Sequence, residues 1–247
     1  TIHIPKPTRG AAYAKAANTA VTIQNETATK LTLSVNKHFE YSRMIEDITD
    51  IQAQASMRKF YTGDAGYALA KKVEDDIFLL GQSTQGGNGS NWAKAKEIAA
   101  DGTLSDYAGA AQAFNDAGFR NLIQLLDDAD VPMDGRSLIL PPSARNTVMG
   151  IERYTSSDFV TGNTVVNGKI GNLYGVDVYI SNNCPVDGAN KIGMLQHKDA
   201  FVLVEQMSVR SQTQYKQEFL ADLFTSDTIY GTGVLRDTSA VAIALLG

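Results

Sequence analysis

The residues that could do chemistry are few in this chain of 247 residues. His197 stands two positions before Asp199 at the start of an apolar stretch, a pairing that would suit a catalytic dyad, and Cys184 is the only thiol. We favour a hydrogen-bonded structural histidine at a strand entrance and a small buried thiol. One cysteine and three histidines also exclude an internal disulfide framework and disfavour a zinc site.

Two acidic runs are candidates for metal binding. Residues 127–134 lack the regular spacing and the bidentate Glu of an EF-hand calcium loop. Residues 74–76 lie in the middle of a predicted helix, where we interpret them as an acidic face that meets solvent or another subunit. We therefore expect both runs to serve as surfaces, with no bound metal. The candidate contact residues are Glu74, Asp75, Asp76, Asp127 and Asp128.

Known catalytic motifs are absent from the sequence. It has no phosphate-binding loop, dinucleotide-binding turn, zinc-protease helix or serine-hydrolase elbow. The glycine cluster at 86–89 follows no strand, so we interpret it as a solvent loop. We predict no catalytic, cofactor-binding or metal-ligating residues and no enzyme activity. No apolar run approaches the ~18 residues that a membrane-spanning helix needs, so no membrane partner is expected.

The charges are distributed unequally along the chain. Residues 1–45 hold six basic and two acidic side chains, a net charge of +4 (6 − 2), and the remainder holds sixteen and twenty-five, a net charge of −9. A basic arm can fold back on its own acidic body or lie on the body of a neighbouring copy, and such complementarity guides encounter and register. Binding of the arm to nucleic acid is disfavoured because its charges do not cluster.

The elements that must position these residues begin with a long alternating segment. Its apolar positions predict one strand of about fifteen residues, roughly 50 Å long, which is far above the usual strand length. We expect this strand to project from its domain, with residues 21–24 in its antiparallel partner. The apolar positions are Leu31, Leu33, Val35, Phe39, Tyr41 and Ile45, interrupted by Lys37 and Arg43.

Two amphipathic helices follow. Thr49 and Gln52 form a capping box, and Gly81 is a suitable C-cap, so a helix is predicted over about 50–81. A second helix is predicted over 105–128, where three aspartates crowd a C-terminal end that disfavours negative charge unless a cation lies nearby. The predicted apolar stripe of the first helix is Met57, Phe60, Tyr67, Ala70, Val73, Ile77 and Leu80.

The C-terminal half has the pattern of strands and turns. We predict a short buried strand at 137–140 and a hairpin around Asn167-Gly168, a pair that suits a type I′ turn. The fold class is therefore α+β, with mostly antiparallel strands and a long external hairpin. Further strands are predicted at 174–180, 200–204, 212–219 and 240–245.

Several stretches, in order along the chain, resemble segments of tailed-bacteriophage major capsid proteins, most closely those of short-tailed phages and cyanophage podoviruses. The opening TIHIP and the returning strand into 44–48 resemble the start of those proteins. Residues 167–182 are similar to a GxIGxxxGxxVYxSN stretch, and residues 193–201 to a GxxxHKxA stretch. Residues 222–237 resemble the closing pattern of the family.

The resemblance implies the Hong Kong 97-like capsid fold, with an extended-loop β-hairpin, a peripheral domain with a long spine helix, and an axial domain. It also leads us to expect an N-terminal arm upstream of Thr1. The implied boundaries are 1–48 for the extended loop, 49–103 for the peripheral domain, 104–194 for the axial domain, 195–236 for the returning peripheral strands and 237–247 for a C-terminal axial strand.

The function implied by the resemblance is structural, without enzyme activity or cofactor. Copies would assemble as pentamers and hexamers, in the host cytoplasm, into the icosahedral shell of a virion that encloses double-stranded DNA without sequence-specific binding. Portal and scaffolding proteins are the implied partners, and a decoration or cement protein is left open. The alternatives are an encapsulin-type nanocompartment shell and, from another class, a secreted β-rich hydrolase or sugar-binding protein.

Contacts between subunits are predicted along the basic arm. An isolated hairpin is marginal in water, so the apolar face of the arm needs a partner, and we expect a neighbour's acidic helix to supply it. Reversing the charges of Arg9 and Arg43 should then impair shell assembly and spare folding of the monomer. The predicted arm residues are Lys6, Arg9, Lys15, Phe39, Tyr41 and Arg43.

Overall fold

The structure is a computed structural model of the chain that describes residues 1–6, 10–23, 25, 29–52, 57–81, 96–98, 104–106, 113–151, 154, 171–187 and 190–246. Its helices are α1 (Asp47–Gln52), α2 (Met57–Leu80), α3 (Asp116–Asp128) and α4 (Pro142–Met149). Its strands are β1 (Ile2–Lys6), β2 (Thr29–Leu33), β3 (Lys37–Glu46), β4 (Lys96–Ile98), β5 (Leu104–Asp106), β6 (Arg136–Leu140), β7 (Asn172–Leu173), β8 (Val176–Ile180), β9 (Val186–Asp187), β10 (Asn190–His197), β11 (Phe201–Lys216), β12 (Ala221–Val234) and β13 (Ala240–Leu246).

The largest sheet has eight strands and carries the apolar core. Its strand order is β5-β4-β13-β10-β6-β8-β7, with β9 paired to one end of β10. The sequence of β13, AVAIALL, is apolar throughout, as expected for a strand covered on both faces, and six of its seven residues are buried. Helices α3 and α4 pack against this sheet through Phe119, Leu122, Leu126, Ala144 and Val148.

Helix α3 begins eleven residues later than the sequence predicts. Ser105 lies in β5, which pairs with β4, and the helix starts at Asp116. The Asn115 side chain fixes that start, because its Oδ1 accepts a hydrogen bond from the Gly118 backbone N–H at 2.6 Å. The predicted C-terminal end at Asp128 is confirmed.

A second layer consists of the three-stranded sheet β11-β12-β3 with α2 across one face. Alternate residues of β12 point towards α2 and are buried, namely Phe224, Ser226, Thr228 and Tyr230. Two of these four are small hydroxyl residues, so both hydrogen bonds and apolar contacts stabilise this layer. The opposite face of the sheet is open.

The predicted apolar stripe of the first helix is wrong. Phe60 and Tyr67 are about two-thirds exposed, at 65 % and 67 %, and the buried positions of α2 are Ala65, Leu69, Asp76 and Phe78. The capping box is also wrong, because Thr49 lies inside α1, which begins at Asp47. The predicted end is confirmed, since α2 stops at Leu80, directly before Gly81.

The predicted single strand from Leu31 to Ile45 is two strands. β2 ends at Leu33 and pairs with β1, and β3 starts at Lys37 and pairs with β12. The prediction that residues 21–24 pair with this strand is therefore wrong. β1 is the partner of β2, and residues 21–23 form no strand. The break occurs where the chain crosses Gly231 of β12: a Cβ on that glycine would lie 2.7 Å from the Ser34 carbonyl oxygen.

The remaining strand predictions have mixed outcomes. The strand at 137–140 is confirmed within β6 and that at 240–245 within β13, whereas the hairpin at Asn167-Gly168 lies outside the described residues. The strand predicted from Tyr174 starts at Val176, because Tyr174 and Gly175 form a turn with positive φ of 52° and 81°. The strands predicted at 200–204 and 212–219 fall mostly within the single strand β11, which ends at Lys216, so the predicted residues 217–219 belong to the turn at 217–220.

Candidate subunit-contact surfaces

The two residues considered for chemistry, His197 and Cys184, are both buried. His197 is 3 % exposed, and its Nε2 lies 2.9 Å from the Asp134 carbonyl oxygen while its Nδ1 accepts from the Asp199 backbone N–H. Cys184 is buried between the two layers, and this burial raises the pKa of its thiol to about 12, so it stays protonated and unreactive. The predicted hydrogen-bonded histidine and buried thiol are confirmed, but His197 lies at the end of β10 and not at a strand entrance.

The described part of the chain also offers little to a metal or a membrane. Its His, Cys, Asp and Glu side chains form no group of three that could hold a metal ion. None of its helices is long and apolar enough to cross a bilayer.

The three acidic residues of α2 do not form one exposed face. Successive helix residues turn by about 100°, so neighbours in sequence point in different directions. Glu74 faces the turn after β8, where its two carboxylate oxygens accept from Ser181 Oγ at 2.7 Å and from Asn183 Nδ2 at 2.5 Å. Asp75 has no hydrogen-bond or ion-pair partner among the described residues.

Asp76 points into the interface between α2 and the three-stranded sheet and is only 6 % exposed. Its carboxylate accepts from the Tyr230 hydroxyl at 2.7 Å and from Lys37 Nζ at 3.0 Å, and Lys72 Nζ lies 3.2 Å away. Burial alone would raise the pKa of Asp76, but the hydrogen bonds from Tyr230 and Lys37 outweigh it and hold the pKa below its usual value. Lys37 thus ties β3 to the helix of its own chain.

Phe39, Tyr41 and Arg43 also contact α2 of the same chain. The Lys72 ammonium lies 5.1 Å from the centroid of the Phe39 ring, and the Tyr41 hydroxyl donates to Asp64 Oδ2 at 2.6 Å. Arg43 stacks over the rings of Tyr41 and Tyr61. The β3 part of the apolar face therefore does not need a neighbour's helix, contrary to the prediction, because the chain's own helix covers it. Contact of these residues with another copy stays a prediction.

Asp127 provides a counter-ion for a buried arginine. Arg136 is 2 % exposed, and its Nη2 donates to Asp127 Oδ1 at 2.7 Å and to the Val131 carbonyl oxygen at 2.5 Å. Its Nε donates to the Pro132 carbonyl oxygen. This guanidinium is the cation that the acidic end of α3 requires, and Asp128 beside it is exposed.

The arm is the most exposed part of the described chain. Residues 10–23 are all exposed and form no helix or strand, and they include Lys15 and three large apolar side chains. These are Tyr13, Val21 and Ile23, exposed to 64 %, 64 % and 84 %. Lys6 closes β1 at the base of the arm, and Arg9 lies outside the described residues. Three uncovered apolar groups within one exposed segment fit a surface that another molecule covers.

The open face of the three-stranded sheet carries a polar cluster that the sequence analysis missed. Arg210 donates to both carboxylate oxygens of Asp227, at 2.7 and 3.0 Å, and His38 Nε2 lies 3.0 Å from one of them. The hydrogen bonds from Arg210 and His38 lower the pKa of Asp227. Each residue is on a different strand, so only the register of β3, β12 and β11 brings them together.

Residues 39–244 match a family model described as phage capsid protein. A search of curated proteins finds no match.

Solved phage structures share the fold across nearly the whole chain. A chain of Mycobacterium phage Che8 has 21 % identity and a TM-score of 0.73, with 98 % of this chain and 83 % of that chain covered. The capsid of cyanophage P-SCSP1u has 15 % identity and a TM-score of 0.72, covering 99 % and 82 %. The capsid of Ralstonia phage GP4 has 11 % identity and a TM-score of 0.67, covering 100 % and 83 %. Because the family model spans well over half of the sequence, this chain belongs to the phage capsid protein family.

Proposed function

We propose that copies of this chain build an icosahedral phage shell in which the basic arm of each copy lies on the body of a neighbour. Family membership makes the role structural, as a major capsid protein located in the virion. The exposed apolar arm, residues 10–23, carries the proposal of an arm contact, because Tyr13, Val21 and Ile23 have no cover within the described chain. Lys15 is the one charged residue of this segment, and residues 1–45 as a whole carry +4 against −9 for the rest of the chain, which supplies complementary charge.

Contacts within the chain limit which acidic residues are available to the arm of a neighbouring copy. Glu74 and Asp76 already bind groups of their own chain, so of the three helix acids Asp75 is the one left to meet a basic residue of a neighbouring arm. Asp128, exposed at the end of α3, is a second such acid. Lys15 is the arm residue best placed to reach them, as it is exposed within the uncovered segment.

The finer organisation follows the Hong Kong 97-like pattern. Residues 1–48 act as the extended loop. Helix α2 is the spine of a peripheral domain, to which the chain returns at residues 195–236. The eight-stranded sheet is the axial domain. The chain performs no catalysis and binds no cofactor. Pentamers and hexamers assemble in the host cytoplasm with portal and scaffolding proteins and enclose double-stranded DNA.

Electron microscopy of the purified protein tests this function. Wild-type chain should form icosahedral particles, and a chain that stays monomeric at high concentration would contradict the proposal. Lys30 of β2 is a second exposed lysine in residues 1–45. Lys15→Glu combined with Lys30→Glu should reduce particle yield at least tenfold at an unchanged melting temperature, with Lys15→Arg combined with Lys30→Arg as the matched control. Arg43 is a poor choice for this test, because its stacking on Tyr41 and Tyr61 couples it to folding. Normal particles from the double variant would overturn the arm contact.

A further inference from the structure

One face of helix α2 is left open by the sheet on which the helix packs. Phe60 and Tyr67 are 65 % and 67 % exposed, although both are large and aromatic. Gly63 and Ala70 are exposed as well. The four residues follow one another at steps of three, four and three positions, which places them along one side of the helix as the a and d positions of a heptad pattern. Phe60, Gly63, Tyr67 and Ala70 form the open seam of α2.

The opposite side of α2 fixes the orientation of the open seam. Ala65 and Leu69, which lie across the helix from the seam, are buried, and the Asp76 carboxylate is held by Tyr230 and Lys37. The helix therefore cannot rotate to hide its two exposed rings without breaking these contacts. A surface that is already fixed in this way loses little conformational entropy when a partner covers it.

The shape of the open seam suits a second helix. The two rings project from α2, and a Cβ added at Gly63, between them, would meet nothing within 4 Å beyond the neighbouring helix backbone. Side chains of a partner helix can enter such a gap while the rings pack on either side of them. From Phe60 to Ala70 the seam is about 15 Å long, which matches nearly three turns of a partner helix.

The charges beside the open seam indicate an acidic partner. Lys59 and Lys71 are exposed and flank the seam at the g and e positions, which select partners by charge in paired helices. Residues 58–72 hold four basic side chains and one acidic side chain, a net charge of +3 (4 − 1), within a chain of net charge −5. The one acid of this stretch, Asp64, already accepts a hydrogen bond from the Tyr41 hydroxyl.

Other occupants of the open seam match it less well. The arm of a neighbouring copy belongs to a segment of charge +4, and a second α2 would bring its own Lys59 and Lys71, so in both cases like charges would meet. A DNA duplex has the complementary charge, but its bases are already stacked on one another and would leave the rings of Phe60 and Tyr67 uncovered.

We propose that the open seam of α2 binds an acidic amphipathic helix of a second protein. Large apolar side chains of that helix fill the space above Gly63 and Ala70, and its carboxylates face Lys59 and Lys71. The inference goes beyond the proposed function, because it requires neither the arm contact nor a closed shell. It can therefore be tested on the unassembled chain.

The test measures binding of the purified full chain to two labelled synthetic helical peptides by fluorescence anisotropy. Both peptides have three heptads with leucine at a and d, and they differ only in carrying glutamate or lysine at every e and g position. The wild-type chain should bind the glutamate peptide at least tenfold more tightly than the lysine peptide. Added salt should reduce this preference, because it screens the exposed charges.

Three variants locate the site of binding. Tyr67→Ser should weaken binding of the glutamate peptide at least tenfold at an unchanged melting temperature, since Tyr67 is mostly exposed. Leu79→Ser removes an apolar side chain that is 48 % exposed on another side of the same helix, so it should leave the affinity unchanged. Lys71→Glu should weaken binding of the glutamate peptide and strengthen binding of the lysine peptide.

Several results would overturn this proposal without touching the shell function. These are a wild-type chain that binds neither peptide, equal affinity for the two peptides, and full binding by Tyr67→Ser. A labelled DNA duplex that binds the wild-type chain and Tyr67→Ser alike, but not Lys71→Glu, would assign this face to nucleic acid instead. Whether the wild-type chain forms particles is decided separately by electron microscopy.

Discussion

The eight-stranded sheet and the three-stranded sheet are built on opposite principles. In the first, β13 has six of seven residues buried, and α3 and α4 close the core. In the second, none of the sixteen residues of β11 is fully buried, and one face of the sheet is open. The first layer is closed by its own helices, whereas the second leaves one sheet face and the turn at 217–220 exposed. The layer with the smaller apolar core is therefore the one with more surface free for contacts.

The interior of the three-stranded layer is also more polar than that of the eight-stranded layer. Ser226 and Thr228, buried under α2, are bonded to Ser211 Oγ at 2.7 Å and to the Met207 carbonyl oxygen at 3.1 Å. Tyr230 donates to the buried Asp76. Hydrogen bonds are directional, so a shift of β12 by one residue against its neighbours would break all three. These bonds therefore fix the strand register of the three-stranded layer, whereas the eight-stranded layer is stabilised mainly by apolar burial.

Replacing one leucine by alanine in each layer should give the largest difference in the free energy of unfolding. Leu195 of β10 is fully buried, so Leu195→Ala should lower the free energy of unfolding by about 2–5 kcal/mol through lost transfer energy and a cavity. Leu203 of β11 is 48 % exposed, so Leu203→Ala should cost under about 1 kcal/mol. Urea unfolding measures both, and equal losses would break the distinction between the layers.

Adding one methyl group at Gly231 should disturb the junction of arm and sheet. The new Cβ would lie 2.7 Å from the Ser34 oxygen and 3.0 Å from Val35 Cα, both backbone atoms. We expect Gly231→Ala to cost about 1–3 kcal/mol, as overpacking usually does. Gly66 of α2 has no atom within 4 Å of its Cβ position, so Gly66→Ala should stabilise by about 0.5–1 kcal/mol through helix propensity. Thermal unfolding that ranks the two alike would contradict this view of Gly231.

The polar interior of the three-stranded layer should make its stability depend on acid. The pKa of Asp76 is held below its usual value of 3.8, so its carboxylate stabilises the fold above that pH, and the contribution is lost as pH falls through the lower folded-state pKa. Asp76→Asn should therefore cost about 1.5 kcal/mol at pH 7, a typical value for hydrogen bonds to a charged group, and progressively less below pH 4. Denaturant midpoints at several pH values test this. A gap that persists unchanged at low pH would show that the charge plays no part.

Local patterns in the sequence were sufficient where the fold follows from local causes. The apolar runs of β6 and β13 predict strands, and Gly81 predicts the end of α2. The family resemblance, carried by short motifs in order, is confirmed by the family model. In each case the signal lies within a few neighbouring residues.

Prediction failed where a distant residue decides the outcome. Lys37 looks like an interruption of an apolar face until Asp76, 39 positions away, is brought against it. The break at 34–36 depends on Gly231, and the inward face of β12 is hidden because Ser226 and Thr228 are polar and yet buried. Acidic residues that share a helix turn looked like one surface, but their hydrogen-bond partners lie on separate elements.

The smallest effect is expected at the point where α2 joins the two layers. Glu74 binds Ser181 and Asn183 beside the eight-stranded sheet, one helix turn before Phe78 enters a cluster with Cys184, Met194, Ala200 and Ala240. Glu74→Gln keeps the shape but places an amide N–H₂ against one of the two donors, so we expect a loss of about 1 kcal/mol. Asp75→Asn, which has no partner among the described residues, should leave monomer stability unchanged and serves as the control.

Hydrogen exchange locates that loss more sharply than the total stability does. If Glu74 joins two layers that are otherwise separate, backbone amides at 181–187 should exchange faster in Glu74→Gln than in the wild-type chain. The amides of β10 and β13 should keep their protection, because local opening at this junction does not require the core to unfold. Faster exchange throughout β10 and β13 would instead mean that the layers unfold as one unit. In that case the contrast between them would be one of exposure only and not of independent stability.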